Sequence, residues 1–286
     1  MKRFLMISTA PAARGEIRVN TRFAHRCIGV ALCLFALATA GVGQVTEAWV
    51  ARYDGPGNDL DVANALAVDG AGNVYVTGYS RGVGTSDDYA TIKYDSSGNQ
   101  LWVARYNGAG NSVDDARALA VDAAGNVYVT GYSRGAGTSY DYATIKYDSN
   151  GNQLWVARYN GPGNADDAAN ALAVDAAGNV YVTGLSWGAG TGRDYATIKY
   201  DSSGNQLWVA RYNGPGNQWD QAYALAVDAA GNVYVTGYSG GAGTGLDYAK
   251  VKYDSNGNQL WVARYNGPGN ADDAANALAV DAAGNV

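Results

Sequence analysis

Short apolar runs, each broken by Asp, Gly and Asn, recur along the chain from Trp49 onward. Residues 155–212 show the pattern well. Ala169–Asp175 (ANALAVD), Val180–Gly184 (VYVTG), Tyr195–Asp201 (YATIKYD) and Gln206–Tyr212 (QLWVARY) are rich in Val, Tyr, Trp, Ile and Thr, the residues that suit a pleated, half-buried surface. We designate them A, B, C and D. DAAGN joins A to B and DSSGN joins C to D. Each link carries the Asp and Gly-Asn that a chain reversing through positive φ requires. The pattern therefore predicts an antiparallel meander of four short strands. ALAV and LWVA are apolar at consecutive positions, which predicts sheets covered on both faces.

The pattern has a fixed period. The tryptophan of (L/A)WVARY stands at Trp49, Trp102, Trp155, Trp208 and Trp261, always 53 residues apart. Four full copies occupy 49–101, 102–154, 155–207 and 208–260, and a partial copy occupies 261–286. A single four-stranded sheet of about 50 residues buries too little surface to stand alone, so copies must stack. Tandem four-stranded meanders of this length make β-propeller blades, and an open β-solenoid is the alternative, usually with shorter, parallel repeats. The fold class expected is an all-β propeller of four-stranded blades, four full and the rest partial.

ALAVDxAGNVYVTG, DYA(T/K)(I/V)KYD and GNQLWVARY resemble the SBBP repeat, named for bacterial seven-bladed β-propellers. The resemblance covers the chain from Trp49 onward. It implies a propeller, export and a secreted or cell-surface location, and it implies no defined activity. This chain departs from it in having four complete units rather than about seven.

Residues 1–40 differ from the rest. They hold Lys2, Arg3, Arg14, Arg18, Arg22 and Arg26 against Glu16, then an apolar run from about Cys27 to Leu37, then Ala38-Thr39-Ala40. That is the layout of a secretory signal with an A-x-A cleavage site. The run is short for a span of about 20 residues, so an uncleaved membrane anchor is the lesser reading. Leu32 before Cys33 disfavours a lipoprotein anchor. The basic region is long, so translation is expected to begin downstream of Met1, near Val19. Residues 41–48 form a short lead-in. Both cysteines (Cys27, Cys33) and the one histidine (His25) fall inside this signal, and its removal would exclude disulfides, thiol nucleophiles, histidine triads and the usual zinc ligands.

The remainder carries 14 Lys/Arg against 25 Asp/Glu, a formal net charge of −11, which argues against a nucleic-acid partner. Of those acids, 24 are Asp and Glu47 is the exception. Asp bonds its own backbone in turns, so the bias agrees with hairpins rather than helices.

Comparison of the copies separates residues that build from residues that bind. Trp155, Asp175, Gly178, Asn179, Tyr181, Gly184, Tyr195, Lys199, Tyr200 and Asp201 have the same residue at every equivalent place in the full copies, which reads as blade structure. The differences fall between D and A and between B and C. The first set runs Asp59, Leu60, Val62, Asn64, then Ser112, Val113, Asp115, Arg117, then Ala165, Asp166, Ala168, Asn170, then Gln218, Trp219, Gln221, Tyr223. In the second, Arg81, Arg134, Trp187 and Gly240 share one position, and Asp87, Tyr140, Arg193 and Leu246 another. In a meander these links lie at one end of the blade, so variation collects on one rim. Arg134, Tyr140, Trp187, Arg193, Trp219 and Tyr223 are the candidate contacts for a protein or carbohydrate partner, because aromatics beside Arg are the chemistry of recognition surfaces. Drift in unconstrained loops is the competing account, and a purely architectural surface array or adhesin is the competing function.

Sharper chemistry is less well supported. DSNGN (Asp148, Asn150, Asn152) matches the first half of a calcium loop, but Gln153 and Tyr159 stand where that loop needs Gly and an acid. The pairs Asp114/Asp115, Asp166/Asp167 and Asp272/Asp273 leave a second calcium possibility. DSSGNQLW is similar to the structural Asp…Gly…Trp staples of sialidase and quinoprotein propellers. Carboxylate pairs hydrolyse glycosides, but here they sit in repeated turns. No cofactor and no catalytic residue is assigned. The partial copy places a strand A at Ala275–Asp281 and ends in an A–B turn. The reading is a truncated chain, with self-association through the unfinished blade as the alternative.

Overall fold

The computed structural model describes residues 47–286, and the signal-like segment 1–40 lies outside them, as does most of the lead-in. Ala51–Val286 makes one compact unit. The described residues contain sixteen strands and no helix.

The strands form four separate antiparallel sheets, each a meander in chain order. The first comprises β1 (Asp61–Val68), β2 (Val74–Arg81), β3 (Asp87–Tyr94) and β4 (Gln100–Tyr106). The second comprises β5 (Asp114–Val121), β6 (Val127–Arg134), β7 (Tyr140–Tyr147) and β8 (Gln153–Tyr159). The third comprises β9 (Ala168–Val174), β10 (Val180–Gly188), β11 (Gly192–Tyr200) and β12 (Gln206–Tyr212). The fourth comprises β13 (Asp220–Val227), β14 (Val233–Gly240), β15 (Leu246–Tyr253) and β16 (Gln259–Tyr265). The described residues therefore form four propeller blades, and these do not close into a ring. Each blade begins about a dozen residues after the tryptophan that marks a copy.

The A strands β1, β5, β9 and β13 touch one another in succession and so lie innermost. The D strands lie outermost, with Leu101, Leu154, Leu207 and Leu260 about half exposed. Consecutive burial belongs to the middle strands. VYVTG and DYATIKY are buried on both faces, whereas the A and D strands, whose sequences suggested it, are only partly covered.

Strands B and C of the third blade are longer than the sequence predicts. Strand B continues through Gly188 and strand C begins at Gly192, with Leu185, Ser186 and Trp187 paired to Tyr195, Asp194 and Arg193. Gly190 and Gly192 have φ of 92° and 80°, which lets the chain reverse within three residues and extends the ladder to its tip.

The A–B and C–D turns close on themselves. At Asp148, Oδ1 accepts from the Asn150 and Asn152 amides and Oδ2 from the Asn152 side chain. Both oxygens of this would-be calcium ligand are thus engaged by the turn itself. The turn at Asp281 forms in the same way, with the Asp281 amide 3.0 Å from the Asn285 carbonyl and Gly284 at φ 82°. The segment before it corrects the sequence reading. Neither Ala275–Asp281 nor Trp49–Tyr53 forms a strand, which takes a regular ladder to a neighbouring strand as well as the right letters.

Neighbouring blades are joined by repeated hydrogen bonds between residues about one period apart. The hydroxyls of Tyr89, Tyr142 and Tyr195 donate to the carbonyls of Ala143, Ala196 and Ala249 at 3.2–3.3 Å in fully buried surroundings. The indole Nε1 of Trp102, Trp155 and Trp208 donates to Ser149, Ser202 and Ser255 at 3.1 Å. The ring of Trp155 lies between Tyr128 and Tyr200, at 6.3 and 6.5 Å, so one aromatic stack runs across the seam.

Two outcomes follow. A methyl group at Gly204 would sit 2.7 Å from Cδ2 of Trp155 on a backbone with φ of 86°. Gly204→Ala should cost more than about 1 kcal/mol in urea unfolding. Hydrogen bonds from the side chain and backbone of Asn99, Asn152, Asn205 and Asn258 hold Asp95, Asp148, Asp201 and Asp254 below the ordinary Asp value of 3.8. A lowered folded value gives stability that is present above 3.8 and lost as pH falls below it. Burial raises Asp167 and Asp220 instead, and their contribution is present at low pH and lost as pH rises through their raised values. Replacing the four turn aspartates with Asn should therefore flatten the fall of the melting temperature below about pH 4.

Candidate functional site

The rim is built by the D–A links and the B–C hairpins, which meet at one end of each blade. Each link clasps the hairpin of the blade it enters. The amides of Gly57, Gly110, Gly163 and Gly216 donate to the carbonyls of Arg81, Arg134, Trp187 and Gly240 at 3.0–3.1 Å. The link turns at Asn58, Asn111, Asn164 and Asn217, whose φ of 45–50° suits Asn better than most side chains. Gly161 is required for a different reason. A Cβ there would fall 2.1 Å from the Ser186 hydroxyl, so only a bare backbone fits against the hairpin.

A buried carboxylate fixes this contact. Asp167 is fully buried; its Oδ2 accepts from the Gly161 amide at 2.5 Å and its Oδ1 from the Trp187 amide at 3.0 Å. Asp220 does the same with Gly214 and Gly240. Burial pushes both carboxyls above their ordinary value, and the amides pull them back. The second acid of each pair is not fixed between copies. Asp115 pairs with Arg117 at 3.4 Å, and Asp166 accepts from the hydroxyl of Ser139.

An arginine staples the hairpin from below. Nη1 of Arg211 donates to the hydroxyls of Ser186 and, across the seam, Tyr159, at 2.6 and 2.9 Å. Nη2 donates to the Ser186 carbonyl and to Oδ2 of Asp194, at 2.9 and 2.8 Å. Arg105, Arg158 and Arg264 repeat the arrangement. The sequence reading did not single out these residues. The signal was present, since Ser186, Asp194 and Arg211 have the same residue at every equivalent position.

Three of the six candidate contacts come together. Trp187 and Arg193 face each other across the hairpin of the third blade, and Trp219 reaches over from the link into the fourth. Cζ of Arg193 lies 5.5 Å from the Trp187 ring and 4.7 Å from the Trp219 ring. Trp219 is 53% exposed. Beside it is an open depression of about 370 Å³, lined by Gly192, Asn217, Gln218, Trp219 and Leu246.

The other three candidates lie apart from this cluster. Arg134 and Tyr140 pair across the hairpin of the second blade, where Tyr140 packs edge-on to Tyr132 at 5.0 Å and Arg134 is exposed. Tyr223 is not in the link at all. It is the bulged residue of β13, with its ring 5.7 Å from that of Tyr238. Asn64, Arg117 and Asn170 hold the equivalent bulges of β1, β5 and β9. Asn64 donates to the Ala116 carbonyl, Arg117 to the Asn170 side chain and Asn170 to the Ala222 carbonyl, each at 2.7–2.8 Å. Part of the variation assigned to the rim thus belongs to the inner strands, where it links neighbouring blades. A bulge inserts one residue without changing the sequence pattern, so letters alone do not show it.

Comparison with known proteins agrees with this architecture. The profile of the SBBP beta-propeller repeat matches four times, over residues 48–84, 101–137, 154–190 and 207–243. No curated protein matches the chain. Among solved structures, a periplasmic gluconolactonase of Pseudomonas aeruginosa is similar in fold, with a TM-score of 0.50 and 15% identity. The match covers 78% of this chain and 61% of that one, so this chain spans about three fifths of the lactonase's length. A protein of unknown function from Dyadobacter fermentans matches at a TM-score of 0.44 and 9% identity, covering 71% of this chain and 68% of its own. Among the described residues, no helix is long and apolar enough to cross a membrane.

The staple gives a direct expectation. Arg211→Ala would leave Asp194, only 3% exposed, without its cation. It should cost about 3 kcal/mol or more in denaturant unfolding and raise amide exchange across 186–194.

Proposed function

Because the chain belongs to the SBBP beta-propeller repeat family, we propose that it works as an exported, non-catalytic module that holds a protein or glycan partner on its rim. The observation that carries this reading is the joining of three copy-specific residues, Trp187, Arg193 and Trp219, into one exposed aromatic and cationic cluster. Drift alone has no reason to converge three changes, from two blades, on one spot. The charged groups common to all copies are engaged within the fold: the turn aspartates by their own amides, the link aspartates by glycine amides, the arginines by Ser and Asp. The cluster of Trp187, Arg193 and Trp219, by contrast, differs between copies and presents open aromatic surface.

Export rests on the secretory layout of residues 1–40. The lactonase of similar fold lends support to the architecture and brings no activity to this chain, since 15% identity carries fold alone.

The test uses whichever extracellular protein or glycan the purified chain captures. Replacing both Trp187 and Trp219 with Ala should weaken that complex at least tenfold in calorimetry while leaving the melting temperature nearly unchanged. Unaltered affinity in the double variant would remove the rim from consideration.

A further inference from the structure

One half-buried cation on the rim has no counter-charge. Arg81, Arg105, Arg117, Arg158, Arg211 and Arg264 each have a carboxylate within ion-pair distance. Arg193 has none among the described residues, and its Nε is sealed from solvent without a hydrogen-bond partner. Arg134 also has no carboxylate, but it is exposed, where water screens its charge. The same cross-strand position holds the ion pair Arg81–Asp87 in the first blade, at 3.8 Å. In the third blade the base has become Trp187 and the acid has become Arg193, so the charge is kept and its partner is gone.

The two indoles do not replace that partner. A ring face attracts a cation through its quadrupole alone. It leaves the two Nη groups without a hydrogen-bond partner among the described residues, and these, unlike the sealed Nε, can meet a carboxylate in two parallel hydrogen bonds. The surroundings restrict what else the ligand carries. Trp219 offers an open aromatic surface, Gln218 an exposed amide that donates and accepts, and Asn217, whose Oδ1 already accepts from the Asn213 side chain at 2.7 Å, an Nδ2 that donates. An apolar ring face, several hydroxyls and one carboxylate meet all three.

The geometry therefore points to an anionic sugar, a uronic acid unit within a glycan, with its C–H face on Trp219, its hydroxyls on Asn217 and Gln218 and its carboxylate on Arg193. This rests on the rim-binding reading above and names the ligand class for it. An acidic peptide fits less well. It needs several cations close together, and Arg193 stands alone in a body whose formal net charge is −11.

The experiment is calorimetry on the full chain with trigalacturonic acid, its methyl ester and octaglutamate, at about 50 and 300 mM salt. The acid should bind at least tenfold tighter than the ester, and less tightly at high salt. Arg193→Gln should bring the acid down to the affinity of the ester without changing the ester, a result that a merely unfolded variant would not give. Trp219→Ala should weaken both sugars. Circular dichroism and melting temperature confirm that each variant is folded. Equal binding of acid and ester, or an Arg193→Gln variant that still prefers the acid, would overturn the inference and leave the rim as a neutral-glycan site. Binding of octaglutamate alone would overturn it in favour of a protein partner. Binding of no probe would overturn the ligand class, while the partner-capture test above would still decide the rim.

Discussion

The fold depends on a tyrosine hydroxyl that has to find its partner in the next blade. Tyr89, Tyr142 and Tyr195 are fully buried, and each donates to a carbonyl 54 residues further on. A buried hydroxyl without a partner costs about 1–3 kcal/mol, so each blade is fully stable only beside another of the same shape. The indole bond to the Ser149, Ser202 or Ser255 carbonyl and the arginine bond to the preceding blade's tyrosine impose the same condition. A residue at such a position faces two environments, its own sheet and the seam. A change that suits one disturbs the other, which explains why the copies are so alike there.

The rim escapes this double duty. The clasp between link and hairpin is made by backbone atoms, one buried aspartate and a glycine, none of which dictates the side chains at the tips. Residues at Trp187, Arg193 and Trp219 can vary because the Arg211 staple holds the hairpin whatever its tip carries. The structure thus divides labour by depth. The seam and the staple fix shape, and the tips beyond them carry whatever chemistry the blade presents. The inner bulges are intermediate, since Asn64, Arg117 and Asn170 vary in identity but each reaches the next blade.

Much of this was legible in the sequence. The 53-residue period and the four β-type runs specify the meander, and the Asp…Gly-Asn links locate its turns. The identity of Trp155, Tyr181 and Tyr195 between copies marks them as structural, which the burial of the two tyrosines and the place of Trp155 in the seam explain. What remained hidden depends on register and partner. The ladder beyond Gly184 is invisible because Leu185-Ser186-Trp187-Gly188 carries no alternation, and only pairing with 192–195 makes it a strand. Ala275–Asp281 fails for the converse reason. It has the letters of strand A, but letters give propensity, and a strand also needs a neighbour. The bulge at Tyr223 moved a residue from loop to strand because one inserted residue reverses which face a side chain occupies. The Arg211 network was missed because its members lie 17 and 25 residues apart and converge only when three strands are in place.

The turn at Asp281 closes although no strand pairs with either side of it. Its hydrogen bonds are therefore local, made within the five consecutive residues Asp281–Asn285. Each such turn can accordingly be set while its chain is still emerging from the ribosome, before the strand that follows it has been synthesised. Growth then proceeds by adding a prepared unit to an existing edge, so cooperativity passes between nearest neighbours rather than through the whole disc. Assembly of such a chain is closer to the extension of a stack, one tile at a time, than to the collapse of a single core.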